Sequence, residues 1–186
     1  MILAIDAVRE RNATTFTVGG TVHFGEARNP LGAWSARVAR VAAFFDRAGV
    51  RYTVPEDMVH ALWFKLMVNV GVNPASAILG APYSSFQRFP EARNVMRSAM
   101  SELIGISKVL GTGLTEADIA AWDRTLAGLS PAGKSSMLQD VEGRRKTEVE
   151  LFAGTVVRLG RETGVPTPVN SLLFNMVRTI ERGYGY

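Results

Sequence analysis

The sequence predicts a mainly α-helical protein: an all-helical domain preceded by a short β-hairpin. Three observations carry this. From Leu31 onward, apolar residues recur at spacings of three and four, the period of a helix with one buried face. Glycines punctuate those stretches at their ends. Before Leu31, Thr15-Phe16-Thr17-Val18 and Thr21-Val22-His23-Phe24 alternate with the period of a strand and flank Gly19-Gly20, a two-residue hairpin signal.

A lone hairpin is marginal in water, so these strands must pair or pack elsewhere, and only Tyr52-Thr53-Val54 offers a further strand pattern. The turn at Asn29-Pro30 sets the expected boundary, with residues 1–30 on one side and the helical domain 31–186 on the other. The first helix presents Trp34, Val38, Val41, Ala42 and Phe45 and stops before Gly49. Pro55-Glu56-Asp57 opens a long second helix, because proline fits a first turn and acids complement its dipole; it runs to Leu79, with Gly80 as the stop. Pro74 removes one hydrogen bond inside it and is expected to kink it.

Further helices are expected over 91–110, 115–126, 135–142, 146–162 and 169–182, with Gly111, Gly128, Gly143 and Gly164 at the ends. Thr115-x-x-Asp118 resembles a capping box with Asp in place of Glu. The Gly111-x-Gly113 pair follows a helix and lacks a third glycine. It therefore reads as a helix end and turn, not as a dinucleotide fingerprint, and no phosphate-binding loop occurs elsewhere.

Composition narrows the chemistry. With 186 residues, 47% hydrophobic and 20% charged, the chain has the make-up of a packed globular protein. It lacks cysteine, which excludes disulfides, thiolate metal sites and a Cys nucleophile and suits a reducing, cytoplasmic setting. His23 and His60 are the only histidines, so neither a zinc site nor a serine-type triad is expected. The formal charge of +4 comes from scattered basic residues, with Arg144-Arg145-Lys146 the one run, so no nucleic-acid partner is expected. The most apolar stretch, 61–81, carries Lys65, Asn69, Asn73 and Pro74, which argues against a membrane span.

That same stretch holds the first candidate site. Lys65 is one of only four lysines in an arginine-rich chain, and Asn69 and Asn73 follow it at i+4 and i+8. An ammonium and two carboxamides thus share one face of an apolar helix. Buried polar groups cost about 1–3 kcal/mol each if unpaired, so they face partners, a cleft or a ligand. Both a structural network and a functional site satisfy that requirement. A second polar group spans 135–148, where Glu148 near a helix start would complement the dipole and the inner face would include Leu151, Phe152, Thr155 and Leu159.

Four motifs in order, Trp63-x-Lys65-Leu66-x-x-Asn69-x-x-x-Asn73-Pro74, Ser136-Met137-x-Gln139-Asp140, Thr147-Glu148-x-Glu150 and Gly164-x-x-x-Pro168-x-Asn170, closely resemble those of the ketopantoate reductases, the 2-dehydropantoate 2-reductases. The resemblance implies an all-α C-terminal domain like that of 6-phosphogluconate dehydrogenase, preceded by the end of a Rossmann domain whose NADPH-binding remainder is missing. It implies reduction of a small 2-oxo acid, ketopantoate, in pantothenate biosynthesis. Lys65 resembles the catalytic lysine that protonates the carbonyl oxygen, and Glu148 the acid that binds the substrate hydroxyl and assists it. Asn69, Asn73 and Ser136 resemble substrate-binding residues. A carboxylate near Lys65 would hold it charged while burial would lower its pKa.

Tyr83 follows Pro82 where some family members carry a substrate-contacting Asn, which leaves substrate preference less defined than reaction type. The competing expectation is a non-catalytic helical module for interaction or dimerisation. A homodimer suits either reading, since surface lost to a missing domain would expose apolar side chains.

Overall fold

A computed structural model describes residues 2–3, 8–15 and 20–185. By its contacts the chain forms two compact units, 1–62 and 63–186.

In the first unit, β2 (Val8–Glu10) and β3 (Ala13–Thr15) form an antiparallel hairpin. Its turn is Arg11-Asn12, with Arg11 in the left-handed region at φ 51°, as two-residue hairpin loops demand. The hairpin expected across Gly19-Gly20 is therefore corrected. Residues 16–19 lie outside the described part, and both edges of β4 (Thr21–His23) are taken by other strands. β1 (Ile2–Leu3) pairs with β4 antiparallel, and β5 (Tyr52–Thr53) pairs with it in parallel. The alternation at 21–23 forms a strand as expected, while residues 16–18 of the other run lie outside the described residues; the long-range partners of β4 are what spacing could not supply.

Between β4 and β5 runs α1 (Ala36–Ala48), completing a β-α-β crossover. Ser35 caps it by accepting from the Val38 N–H, and Gly49 ends it in the left-handed conformation at φ 64°. Val38 and Ala42 are buried, whereas Trp34 and Val41, expected on the same face, are exposed. The α1 ring of Phe45 meets Phe24 edge-on at 5.3 Å and Tyr52 at 5.8 Å, which fastens the helix to the strands. Asn29 lies in this unit, buried, with its amide donating to the carbonyls of Glu26 and Pro55.

The second long helix, α2 (Met58–Leu79), begins where Asp57 Oδ1 accepts from the His60 N–H. It continues through Pro74 to Leu79. By length and apolar content it could cross a membrane, yet half of its most apolar window is buried within the protein, as in a core helix.

In the second unit the remaining helices are α3 (Tyr83–Arg88), α4 (Pro90–Leu110), α5 (Glu116–Ala127), α6 (Ser136–Glu142), α7 (Thr155–Thr163) and α8 (Pro168–Arg182). α4 is the hub, packing against α3, α5, α7 and α8. Its Met96, Met100, Leu103, Ile104 and Ile106 are fully buried. Gly71 lets α2 approach α4 closely: a Cβ there would lie 2.5 Å from Met100 Cε and 3.0 Å from the Met96 carbonyl. The capping box opens α5, with the Thr115 N–H donating to Asp118 at 2.7 Å. Gly111 ends α4 with φ 68°, so the Gly111-x-Gly113 pair serves as a helix cap.

Two further expectations need correction. α3 was not foreseen, being only six residues long and opened by Pro82 without a side-chain cap. The helix expected from residue 146 begins instead as a π-helical turn, Glu150–Gly154, that leads into α7. Its buried residues are Val149, Phe152, Ala153 and Val156; Phe152 and the core-packed Leu159 stand where expected, whereas Leu151 is exposed and Thr155 only partly buried.

Candidate active site

All five candidate residues fall in the helical unit. α2 carries Lys65, Asn69 and Asn73, each four residues beyond the last and so about 6 Å further along the axis. Gly71 stands about 160° around the helix from Asn69, which turns the polar line away from the α4 contact. Lys65 and Asn69 are half-buried, and Asn73 is 7% exposed. No hydrogen bond from another described residue reaches the Asn73 carboxamide. A buried amide in that position retains its capacity for a ligand or water.

Glu148 lies in the segment between α6 and the π-helical turn, exposed between two buried neighbours, Thr147 and Val149. Its charge acts on Lys65. Burial pulls the ammonium below its ordinary pKa, and the Glu148 carboxylate opposes that pull without cancelling it. The balance left open by the sequence therefore falls on the side of a lowered value. A lysine so poised releases its proton more readily than an exposed one, while the carboxylate keeps the charged form populated.

Ser136 occupies the first turn of α6 and is exposed; the capping hydroxyl there is that of Ser135, which accepts from the Leu138 N–H at 3.1 Å. The other members of its motif are structural. Met137 is buried in the core, Asp140 accepts from Arg145 at 2.9 Å, and the Gln139 carbonyl accepts from the same guanidinium at 3.0 Å.

Sequence reasoning gave no role to the residues that build the frame. Thr147 donates from both N–H and hydroxyl to Oε1 of the buried Glu181, at 2.7 and 2.8 Å. Glu102 on α4 accepts from the N–H groups of Val169 and Asn170 and from the Asn170 amide. Thr147 and Asn170 both stand inside the quoted motifs, which was the available signal. A cleft of about 710 Å³ where α4, α5 and the start of α8 meet, lined by Asn94, Arg97, Glu102, Glu116 and Pro166 among others, contains none of the five candidates.

The fold is that of a compact helical domain preceded by a small strand-bearing unit. Comparison with known proteins makes that assignment specific. Residues 57–181 match the family model described as ketopantoate reductase PanE/ApbA C terminal. A 2-dehydropantoate 2-reductase from Halobacterium salinarum is 34% identical over 164 residues, which are 88% of this chain and 53% of that protein. A PanE/ApbA family ketopantoate reductase from Ralstonia eutropha superposes with a TM-score of 0.79 at 28% identity, over 100% of this chain and 60% of that one. A dimeric ketopantoate reductase from Staphylococcus aureus has the same fold at 18% identity, with a TM-score of 0.84 over 98% of this chain and 61% of its own. The chain belongs to the ketopantoate reductase family, and it spans about half the length of the curated relatives it matches.

Proposed function

We propose that the helical unit is the catalytic and substrate-binding part of an NADPH-dependent 2-dehydropantoate 2-reductase, acting on ketopantoate or a related 2-oxo acid in pantothenate biosynthesis. The observation that carries this reading is the half-buried Lys65 with the Glu148 charge acting on it, on the helix face shared with Asn69 and Asn73. Reduction of a ketone at carbon leaves negative charge on its oxygen. The Lys65 ammonium stabilises that charge and then protonates it, forming the O–H bond of the product alcohol and leaving a neutral amine. Glu148 keeps Lys65 protonated beforehand and accepts a hydrogen bond from the substrate hydroxyl. Asn69, Asn73 and Ser136 bind the substrate.

The residues present do not by themselves fit a dinucleotide. Among the described residues, the Gly111-x-Gly113 pair caps α4, and the β4 to α1 connection carries no glycine-rich phosphate cradle. We assign NADPH binding to residues outside these 186 positions and read the strands that begin this chain as the close of that nucleotide-binding domain. A homodimer is part of the same proposal, supported by the dimeric Staphylococcus aureus relative.

That no such cradle occurs among the described residues also favours a second reading, a helical interaction module without catalysis. Titrating residues 1–186 with ketopantoate, observed through the side-chain amides of Asn69 and Asn73, separates the two. The enzyme reading expects both amide pairs to shift, no NADPH-dependent reduction by the isolated chain, and reduction once an NADPH-binding domain is joined upstream. Absence of binding together with inactivity of the joined protein would sink it in favour of the interaction module.

A further inference from the structure

Glu148 is the exposed member of a segment otherwise pinned into the protein. On its N-terminal side, Thr147 is 5% exposed and donates twice to Glu181 Oε1, at 2.7 Å from its N–H and 2.8 Å from its hydroxyl. On its C-terminal side, Val149 is fully buried, and its N–H donates to the Thr147 hydroxyl at 3.2 Å. The Glu148 carbonyl accepts from the N–H groups of Leu151 and Phe152 at 3.0 and 3.1 Å, tying it to the π-helical turn. Closure of that turn by Gly154 N–H on the Val149 carbonyl, at 3.0 Å, fixes the next link.

A buried carboxylate is costly unless its lone pairs are used, and the groups that use those of Glu181 belong to the residue before Glu148. Arg178 adds one contact, donating to Glu181 Oε2 at 3.4 Å and to Glu150 at 2.7 Å. The strongest hydrogen bonds of this carboxylate are thus spent on the backbone that carries a second, exposed carboxylate. Such expenditure makes sense where the direction of the exposed side chain matters.

We propose that Thr147 and Glu181 are positioning residues that hold the Glu148 carboxylate against Lys65, the Thr147 hydroxyl joining both sides of Glu148 to the last turns of α8. This rests on the reading of Lys65 and Glu148 as a functional pair. Without the hydroxyl, the segment keeps its buried neighbours but loses the link between the Val149 N–H and Glu181. Glu148 then samples directions away from Lys65, and the ammonium loses the charge that sustains it.

The test is the titration of Lys65 in residues 1–186, followed by NMR of selectively labelled lysine. Only four lysines are present, and loss of a signal in Lys65→Arg assigns the one needed. Glu148→Gln should lower the Lys65 midpoint, which checks the pair itself. Thr147→Val should lower it by at least half as much, and Thr147→Ser, which keeps the hydroxyl, should restore it. Ser107→Ala removes another buried hydroxyl of this unit, one that accepts from the Leu114 N–H at 2.9 Å, and should leave the midpoint unchanged while lowering stability. A shift with Glu148→Gln and none with Thr147→Val overturns the positioning role. No shift with Glu148→Gln overturns the pair on which it rests. Thr147→Ala serves as the same test if the valine variant does not fold.

Discussion

Glu102 holds Asn170 by both backbone and side chain: its Oε2 accepts from the Asn170 N–H at 2.9 Å and from the Asn170 amide at 2.7 Å. Oε1 takes the Val169 N–H at 2.7 Å, so one carboxylate from α4 satisfies two of the orphan N–H groups that open α8. The Asn170 amide also reaches the Ala99 carbonyl at 3.0 Å. A side chain from a neighbouring helix thus does what a local cap does elsewhere, and its negative charge suits the positive end of the α8 dipole. Glu102→Ala is expected to cost about 1–3 kcal/mol of stability, as loss of charge-assisted hydrogen bonds to buried donors does. Denaturant unfolding measures the loss, and the Val169 and Asn170 amides should show the largest gain in hydrogen exchange. Uniform exchange across α8 would place the cost elsewhere.

Gly71→Ala tests the contact between α2 and α4. The Met100 thioether can swing aside, but the Met96 carbonyl, 3.0 Å from the added carbon, belongs to a helix backbone and cannot. The helices must separate by a few tenths of an ångström, and such overpacking costs about 1–3 kcal/mol. A lowered midpoint of thermal unfolding is expected. Relief by Met100→Ala would point to the side chain, and persistence of the loss to the backbone.

How much of this was legible beforehand depends on sequence separation. α1, α4 and α5 were readable because apolar spacing, caps and glycine stops are written into neighbouring residues. The partners of β4 were not, since Ile2 and Tyr52 stand well away from Val22 in the chain and alternation says nothing about which strand lies alongside. The site divides the same way. Lys65, Asn69 and Asn73 declare a common face through helical spacing alone, whereas the action of Glu148 on Lys65 crosses between distant segments. Only the likeness to a known family joined those two residues in advance. The error at Leu151 has a local cause: a π-helical turn leads into α7, and sequence periodicity assumes an α turn.

Lys65 should leave a mark on stability as a function of pH. Its folded-state pKa is lowered, chiefly by burial, so between that value and its ordinary 10.5 the unfolded chain binds more protons than the folded one. Stability contributed by this residue therefore rises with pH across that window, and below it the full penalty for half-burying an ammonium persists. Lys65→Met removes the ionisable group and keeps most of the apolar stem. The variant is expected to be the more stable protein at neutral pH, with the difference shrinking as pH climbs toward 10.5. Unfolding curves of both proteins at several pH values check the sign. A constant difference would mean that packing, not ionisation, separates them.

In the enzyme completed with an NADPH-binding domain, the same residue should govern turnover. Lys65→Ala removes the proposed general acid, and a reduction of at least about 100-fold in kcat is expected. Because the acid must be protonated to act, the wild-type rate should fall as pH rises through the Lys65 midpoint, which burial places below the usual lysine range. The Glu148 carboxylate opposes that lowering, so Glu148→Gln should move the falling limb to still lower pH besides weakening substrate binding. Measured pH profiles of kcat and kcat/KM decide the matter: near-normal turnover in Lys65→Ala would remove the lysine from the chemistry. A limb that stays in place in Glu148→Gln would leave Glu148 a substrate contact alone, with no hold on the acid.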